Sequence, residues 1–171
     1  MENKNKLSKN ILDKLNSKDE KNIINAINSI SDSNNSNYLP YVFELFKNKP
    51  NSNIIKLISQ LLNDSKNNDA TIHVVDAIKN PLYKEYLYYL VSSCWISGLD
   101  YSKYHSIFID VVLKEDYQIA FESLTVIENL LHNLSQNDVE LCLDKLNSSI
   151  ESIPTEKRGL VNELVKIIES Y

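Results

Sequence analysis

Only two glycines, Gly98 and Gly159, occur in the 171 residues of this chain. Glycine supplies the positive-φ positions and close backbone approaches on which phosphate loops, dinucleotide fingerprints and nucleophile elbows depend. With two isolated glycines none of these motifs can be assembled, which removes a large share of familiar enzymes. Arginine is scarcer still, with Arg158 alone. Arginine is the usual bidentate reader of phosphate and guanine. Its scarcity and a formal net charge of −5 argue against nucleic acid as the main ligand. Lysine can still supply phosphate contacts, and heavy asparagine, lysine and isoleucine usage gives the arginine shortage a second reading, an AT-rich coding sequence.

Cysteine is limited to Cys94 and Cys142, far apart and outside any C-x-x-C pair. They read as two buried, reduced thiols rather than a disulfide or metal ligands. No apolar window is long enough to span a membrane, and Met1-Glu2-Asn3-Lys4 lacks the apolar stretch of a signal peptide. The expectation is a cytoplasmic protein without membrane insertion.

What is present is a recurring unit. Short polar stops end apolar helical patterns at Phe46-Lys47-Asn48, Ile78-Lys79-Asn80, Leu113-Lys114-Glu115 and Leu146-Asn147-Ser148. Successive intervals of thirty-two to thirty-five residues mean stacked supersecondary units, each too small to bury its own apolar face. The chain is long enough for one domain with a sizeable core. Period-two segments flanked by tight turns are missing, so strands are not expected. The fold class predicted is all-α: a right-handed α-α superhelix, or solenoid, of about four stacked antiparallel helical hairpins with terminal capping helices. As a single domain over 1–171, its repeats run roughly over 18–49, 50–80, 81–115 and 116–150, with caps at 7–16 and 154–170. Residues 1 to about 6 are polar and expected to fray.

Each unit carries its own punctuation. Ile23, Ile24, Ile27 and Ile30 share helical spacing before a polar run, Ser31 to Asn37, breaks the helix. The partner helix opens at Tyr38-Leu39-Pro40 and continues through Val42, Phe43, Leu45 and Phe46. Ile54, Ile55, Ile58, Leu61 and Leu62 face Ile72, Val75, Ala77 and Ile78 across a loop at 63–69. Asn80-Pro81 caps the next helix, which runs through Leu87, Leu90, Val91 and Cys94 to a left-handed stop at Gly98. Its partner carries Tyr104, Ile107, Phe108, Val111 and Val112. The fourth hairpin sets Ala120, Leu124, Ile127, Leu130 and Leu131 against Val139, Cys142, Leu143 and Leu146, and Ser135 with Asp138 fits a capping box. A last helix from Pro154 carries Leu160, Val161, Leu164, Val165 and Ile168.

The segment Leu39-Pro40-Tyr41-Val42-Phe43-Glu44-Leu45-Phe46, placed after Ile27, Ile30 and a short loop, resembles the second helix of a HEAT repeat. By period and apolar pattern the resemblance covers residues 18 to about 150. The chain departs from that family in lacking a proline kink in the first helices and the aspartate–arginine ladder between repeats. A looser armadillo-like array or an irregular α-α superhelix therefore stays open. The tetratricopeptide pattern fits less well, since its tryptophan, glycine and alanine positions are not met in succession. Membership would imply a protein-binding scaffold; it would not imply any catalytic residue.

Candidate sites are few. His73, His105 and His132 form no H-E-x-x-H or H-x₃₋₅-H spacing, so packing or surface roles are expected and neither metal nor organic cofactor is called for. Asp110, Glu115 and Asp116 cluster as acid–base groups do, but Asp116 reads as the cap of a helix starting near Tyr117, and Asp110 as part of a solvated face. The lysine-rich start sets six lysines against four acids up to Lys21, leaving −7 on the remainder. A solvated terminal helix is the simpler reading than a basic arm.

The aromatic concentration is the feature that suggests binding. Tyr83, Tyr86, Tyr88, Tyr89, Tyr101, Tyr104 and Tyr117 lie near the one tryptophan, Trp95. A helix centred on Leu90, Leu87, Cys94 and Tyr83 holds Tyr88 and Trp95 well off that core face, with Lys84 one turn before. Tyrosine and tryptophan dominate binding hot spots, although inter-repeat packing would use the same rings. The candidate partner-binding residues are Lys84, Tyr88, Trp95, Asp100 and Tyr101. The function expected is a non-enzymatic protein-interaction scaffold with a protein partner. The alternatives are a HEAT-like DNA-binding or base-repair enzyme, faintly suggested by Trp95 and Asp100, and a small regulatory subunit of an enzyme or a lyase-like chaperone for a cofactor-bearing protein.

Overall fold

A computed structural model describes residues 7–171. Among them lie ten α-helices and no strand: α1 (Lys9–Leu15), α2 (Glu20–Ser33), α3 (Leu39–Phe43), α4 (Ser52–Asn63), α5 (Ala70–Lys79), α6 (Leu87–Ser97), α7 (His105–Lys114), α8 (Tyr117–Leu130), α9 (Gln136–Ser149) and α10 (Thr155–Glu169). None of these helices is long and apolar enough to cross a membrane. The chain divides into two compact units, one ending at Leu99 and the other Asp100–Tyr171. That boundary falls inside the expected third repeat.

Local chemistry explains the helix ends. Asp19, Asn51 and Asp116 each accept a hydrogen bond from a first-turn amide (Lys21, Ile54 and Ile119), satisfying donors that have no intrahelical partner. Ser135 and Asp138 form the capping box in both directions at the start of α9. Gly98 ends α6 at φ +68°, the left-handed region where a Cβ is penalised. Asn34 ends α2 in the same region, so Ser31–Ser33 extend the helix and the break expected from Ser31 falls three residues later. Proline opens both α3 and the 3-10 turn Pro81–Tyr86. The segment likened to a HEAT second helix is α-helical only over Leu39–Phe43; Glu44–Asn48 tighten into a 3-10 turn.

In the first unit α2 packs on α4 and α4 on α6, while α3 packs on α5. In the second, α7 packs on α9 and α8 on α10. The closest sequential neighbours are α1–α2, α5–α6, α7–α8 and α9–α10. The expected pairs α2–α3, α4–α5 and α8–α9 approach less closely, as does α3–α4, and the tight hairpins of the second unit are α7–α8 and α9–α10. The reason is visible at α7–α8. Glu115 and Asp116 alone connect these helices, and the small residues Ala120 and Ser123 are fully buried on α8. Ser123 Oγ donates to the Phe108 carbonyl oxygen at 2.9 Å, so the backbones meet with only a hydroxymethyl group between them.

The core follows the predicted apolar stripes with two exceptions of note. Ile72 is exposed, and α5 instead buries Ala70, Thr71, Val74, Val75, Ala77 and Ile78. Lys157 on α10 is buried, at 4% exposure, and donates to the carbonyl oxygens of Leu113 and Glu115 at the end of α7. It thereby serves acceptors left over by that helix and meets the negative end of its dipole. Burial pushes the Lys157 ammonium pKa below its ordinary value, against the opposing pull of Glu115, Asp116 and Glu156. Cys94 and Cys142 are both buried free thiols, as their spacing predicts.

Candidate functional site

The aromatic residues sort into three environments. Tyr83 and Tyr86 belong to the core of the first unit: the Tyr86 ring stacks on Phe46 with centroids 4.2 Å apart, and Tyr83 stands edge-on to the same ring. Tyr101 is also buried, at 2% exposure, edge-on to Phe108. Its place among the partner-contacting candidates is therefore corrected: the ring fills space beneath the start of α7, where no partner can reach it. The third group lies on the outer face of α6.

On α6, Leu87, Leu90, Val91 and Cys94 are buried, on a helix packed against α4 and α5. The other face carries Tyr88, Tyr89, Trp95 and Ile96. Residues 88, 92 and 95 share one stripe by helical spacing, and 89, 92 and 96 the adjacent one. Ser92, small and tucked between them, donates its hydroxyl to the Tyr89 carbonyl oxygen at 3.3 Å. Tyr89 and Trp95 are each 38% exposed and Ile96 43%, while Tyr88 is half-buried and edge-on to Tyr89 at 5.5 Å. Lys84 is exposed on the turn that leads into this helix. The structure thus brings Lys84, Tyr88 and Trp95 to one short stretch, and Tyr89 and Ile96 join them. Helical spacing identifies those two as well, because each sits one residue past a predicted neighbour.

Asp100 opens the second unit and has a local task. It accepts a hydrogen bond from the Ser102 amide at 2.9 Å and one from the Asn133 side chain at 3.5 Å. The Ser102 amide is the main reason its carboxyl titrates below the ordinary range.

The second unit also holds a groove of about 690 Å³ that sequence reading missed. Its walls are α7, through His105, Ser106 and Ile109, and α9, through Leu141, Cys142, Asp144, Lys145 and Ser148. Leu141 is 55% exposed there. Asp110 at the edge of α7 pairs with Lys114 at 2.9 Å and with Lys145 of α9 at 3.0 Å. Burial works against its ionisation, yet the two lysines hold its carboxyl below the ordinary value. His105 Nδ1 donates to the Ser102 carbonyl oxygen at 2.9 Å, and Nε2 lies 3.8 Å from Asp138 Oδ1. The Ser135 hydroxyl, more than this histidine, holds the Asp138 carboxyl low. Burial, aided by Asp138, pushes the Cys142 thiol up to about 11, so at neutral pH it is a small apolar wall element rather than a nucleophile. Among the described residues no three His, Cys, Asp or Glu side chains converge as a metal-binding group. The signal for the groove was Leu141, an apolar residue on the polar stripe of α9.

No protein-family model matches the chain, and no curated protein matches it in sequence.

Proposed function

We propose that this chain is a non-enzymatic protein-interaction scaffold built from HEAT-like helical repeats, with partner binding carried by the outer face of α6. The observation that carries the reading is the run of Tyr88, Tyr89, Trp95 and Ile96 along one helix, three of them more than a third exposed. A contiguous apolar face of this kind is costly to leave in water and marks interaction surfaces more than isolated exposed leucines do. Tyrosine and tryptophan bury large areas at low entropic cost and keep a polar handle. The packing of alternate helices, α2 on α4 on α6 and α3 on α5, supports the repeat reading for the first unit. Stacking of this kind holds such a face rigid.

The test is affinity capture from native lysate with the full chain as bait, run beside a Tyr88→Ala/Trp95→Ala variant. Proteins retained by the parent chain and lost from the variant are the expected result. Identical sets on both baits would sink the assignment to α6.

A further inference from the structure

The α7–α9 groove differs from the α6 face in its chemistry. Its apolar lining is Ile109 and Cys142, both buried, and Leu141, which stands more than half exposed and is the apolar surface a partner can reach. Leu141 to Ser148 spans two turns of α9, about 10 Å by helical rise. That length matches apolar side chains spaced i, i+3 or i+4 and i+7 on a docked helix.

The charges around it are unequal. Lys145 pairs with Asp110, which Lys114 also contacts, and His105 Nε2 lies 3.8 Å from Asp138 Oδ1. On α9 Asp144 lines the groove and Glu140, four residues before it, lies outside that lining; both are exposed. Glu140 accepts from the neutral Gln136 amide at 3.2 Å, and neither acid has an ion-pair partner among the described residues. The surrounding unit is strongly acidic. Residues 100–171 hold six basic and thirteen acidic side chains, a net of −7, whereas residues 1–99 hold twelve basic and ten acidic, a net of +2. A field of this sign draws cationic partners to the groove and repels anionic ones.

We propose that the α7–α9 groove docks a basic amphipathic helix of another protein, its apolar side chains packed around Leu141 and its lysines or arginines against Glu140 and Asp144. This surface lies in the unit that does not contain α6, and its test stands independently of the α6 reading.

Three labelled synthetic peptides of about fourteen residues probe it by fluorescence anisotropy against the full chain. One has leucines at i, i+3 and i+7 flanked by lysines, one the same leucines flanked by glutamates, and one the lysines with serines replacing the leucines. The first is expected to bind at least about tenfold tighter than either control. Leu141→Ser and the double variant Glu140→Lys/Asp144→Lys each weaken it by about tenfold, the range of a single hot spot. A double variant of matched charge outside the groove, Glu128→Lys/Glu163→Lys, changes affinity less than about threefold, as screened, distant charges should. Equal binding of the three peptides to the parent chain overturns the proposal and requires no variant to fold. So does a loss with the Glu128/Glu163 pair as large as with the Glu140/Asp144 pair, since that would reduce the effect to net charge.

Discussion

Tyr83 donates its hydroxyl proton to Glu44 Oε1 at 2.9 Å, joining two 3-10 turns that lie thirty-nine residues apart in the chain. The Phe46–Tyr86 ring stack closes the same junction from inside. Burial, with the Glu44 bond second, pushes the Tyr83 phenol up to about 12 from 10.0. The folded state therefore keeps a proton that the unfolded chain gives up. Below pH 10 both states are protonated and the stabilisation is complete. Between pH 10 and about 12 stability falls as pH rises, by a total on the order of 2–3 kcal/mol. Urea titrations at pH 9 and at pH 11.5 should show this loss in the parent chain and not in Tyr83→Phe. Parallel losses in both chains would mean that Tyr83 is not the group responsible.

Lys157 offers a second test of a buried polar contact. Lys157→Met keeps most of the stem's packing and removes the donor to Leu113 and Glu115. Leaving those acceptors without the ammonium should cost about 2–3 kcal/mol, read as a lower urea midpoint with unchanged slope. A change within 0.5 kcal/mol, the range of ordinary surface substitutions, would show that water replaces the ammonium without penalty.

The close approach of α7 and α8 predicts a steep size dependence at Ser123. Ser123→Ala removes one hydrogen bond to the Phe108 carbonyl and should cost about 1 kcal/mol. Ser123→Leu must force the helices apart and should cost about 3 kcal/mol or more. Thermal unfolding of the two variants ranks them, and a leucine variant as stable as the alanine one would contradict the packing described.

Two left-handed positions predict opposite signs. Gly98 sits at φ +68° with nothing within 4 Å of an added Cβ, so Gly98→Ala should destabilise by about 1 kcal/mol through backbone strain alone. Lys49 occupies the same region at φ 48°. Lys49→Gly should stabilise by about 1 kcal/mol, because the exposed pair with Glu85 at 3.5 Å that it gives up is worth little. Chemical denaturation of both variants checks the signs.

These residues also show what could be read in the chain beforehand. Gly98, Asp116, Ser135 with Asp138, and the prolines opening two elements act on their own neighbours, so their roles were legible from spacing. The apolar stripes were legible for the same reason. The tight α7–α8 hairpin was not, because it depends on Ser123 meeting a carbonyl on the preceding helix. Tyr101 was misplaced because burial of a ring depends on what folds over it, here Phe108. Lys157 was invisible, since a lysine on a helix reads as solvated until the end of α7 lies against it. The groove needed α7 and α9 together, and Leu141 alone did not announce it.

The most direct test of the α6 reading is Trp95→Ala, measured twice: affinity for the partner captured by the parent chain, and thermal unfolding. Trp95 is 38% exposed, so truncation should forfeit less than the roughly 3–5 kcal/mol of a fully packed ring. A hot-spot ring, by contrast, costs roughly 2 kcal/mol or more of binding, about thirtyfold in affinity. The expected result is that thirtyfold loss with a midpoint lowered by only a few degrees. A protein that melts far earlier yet, where still folded, binds its partner with unchanged affinity would place Trp95 in the core and contradict it.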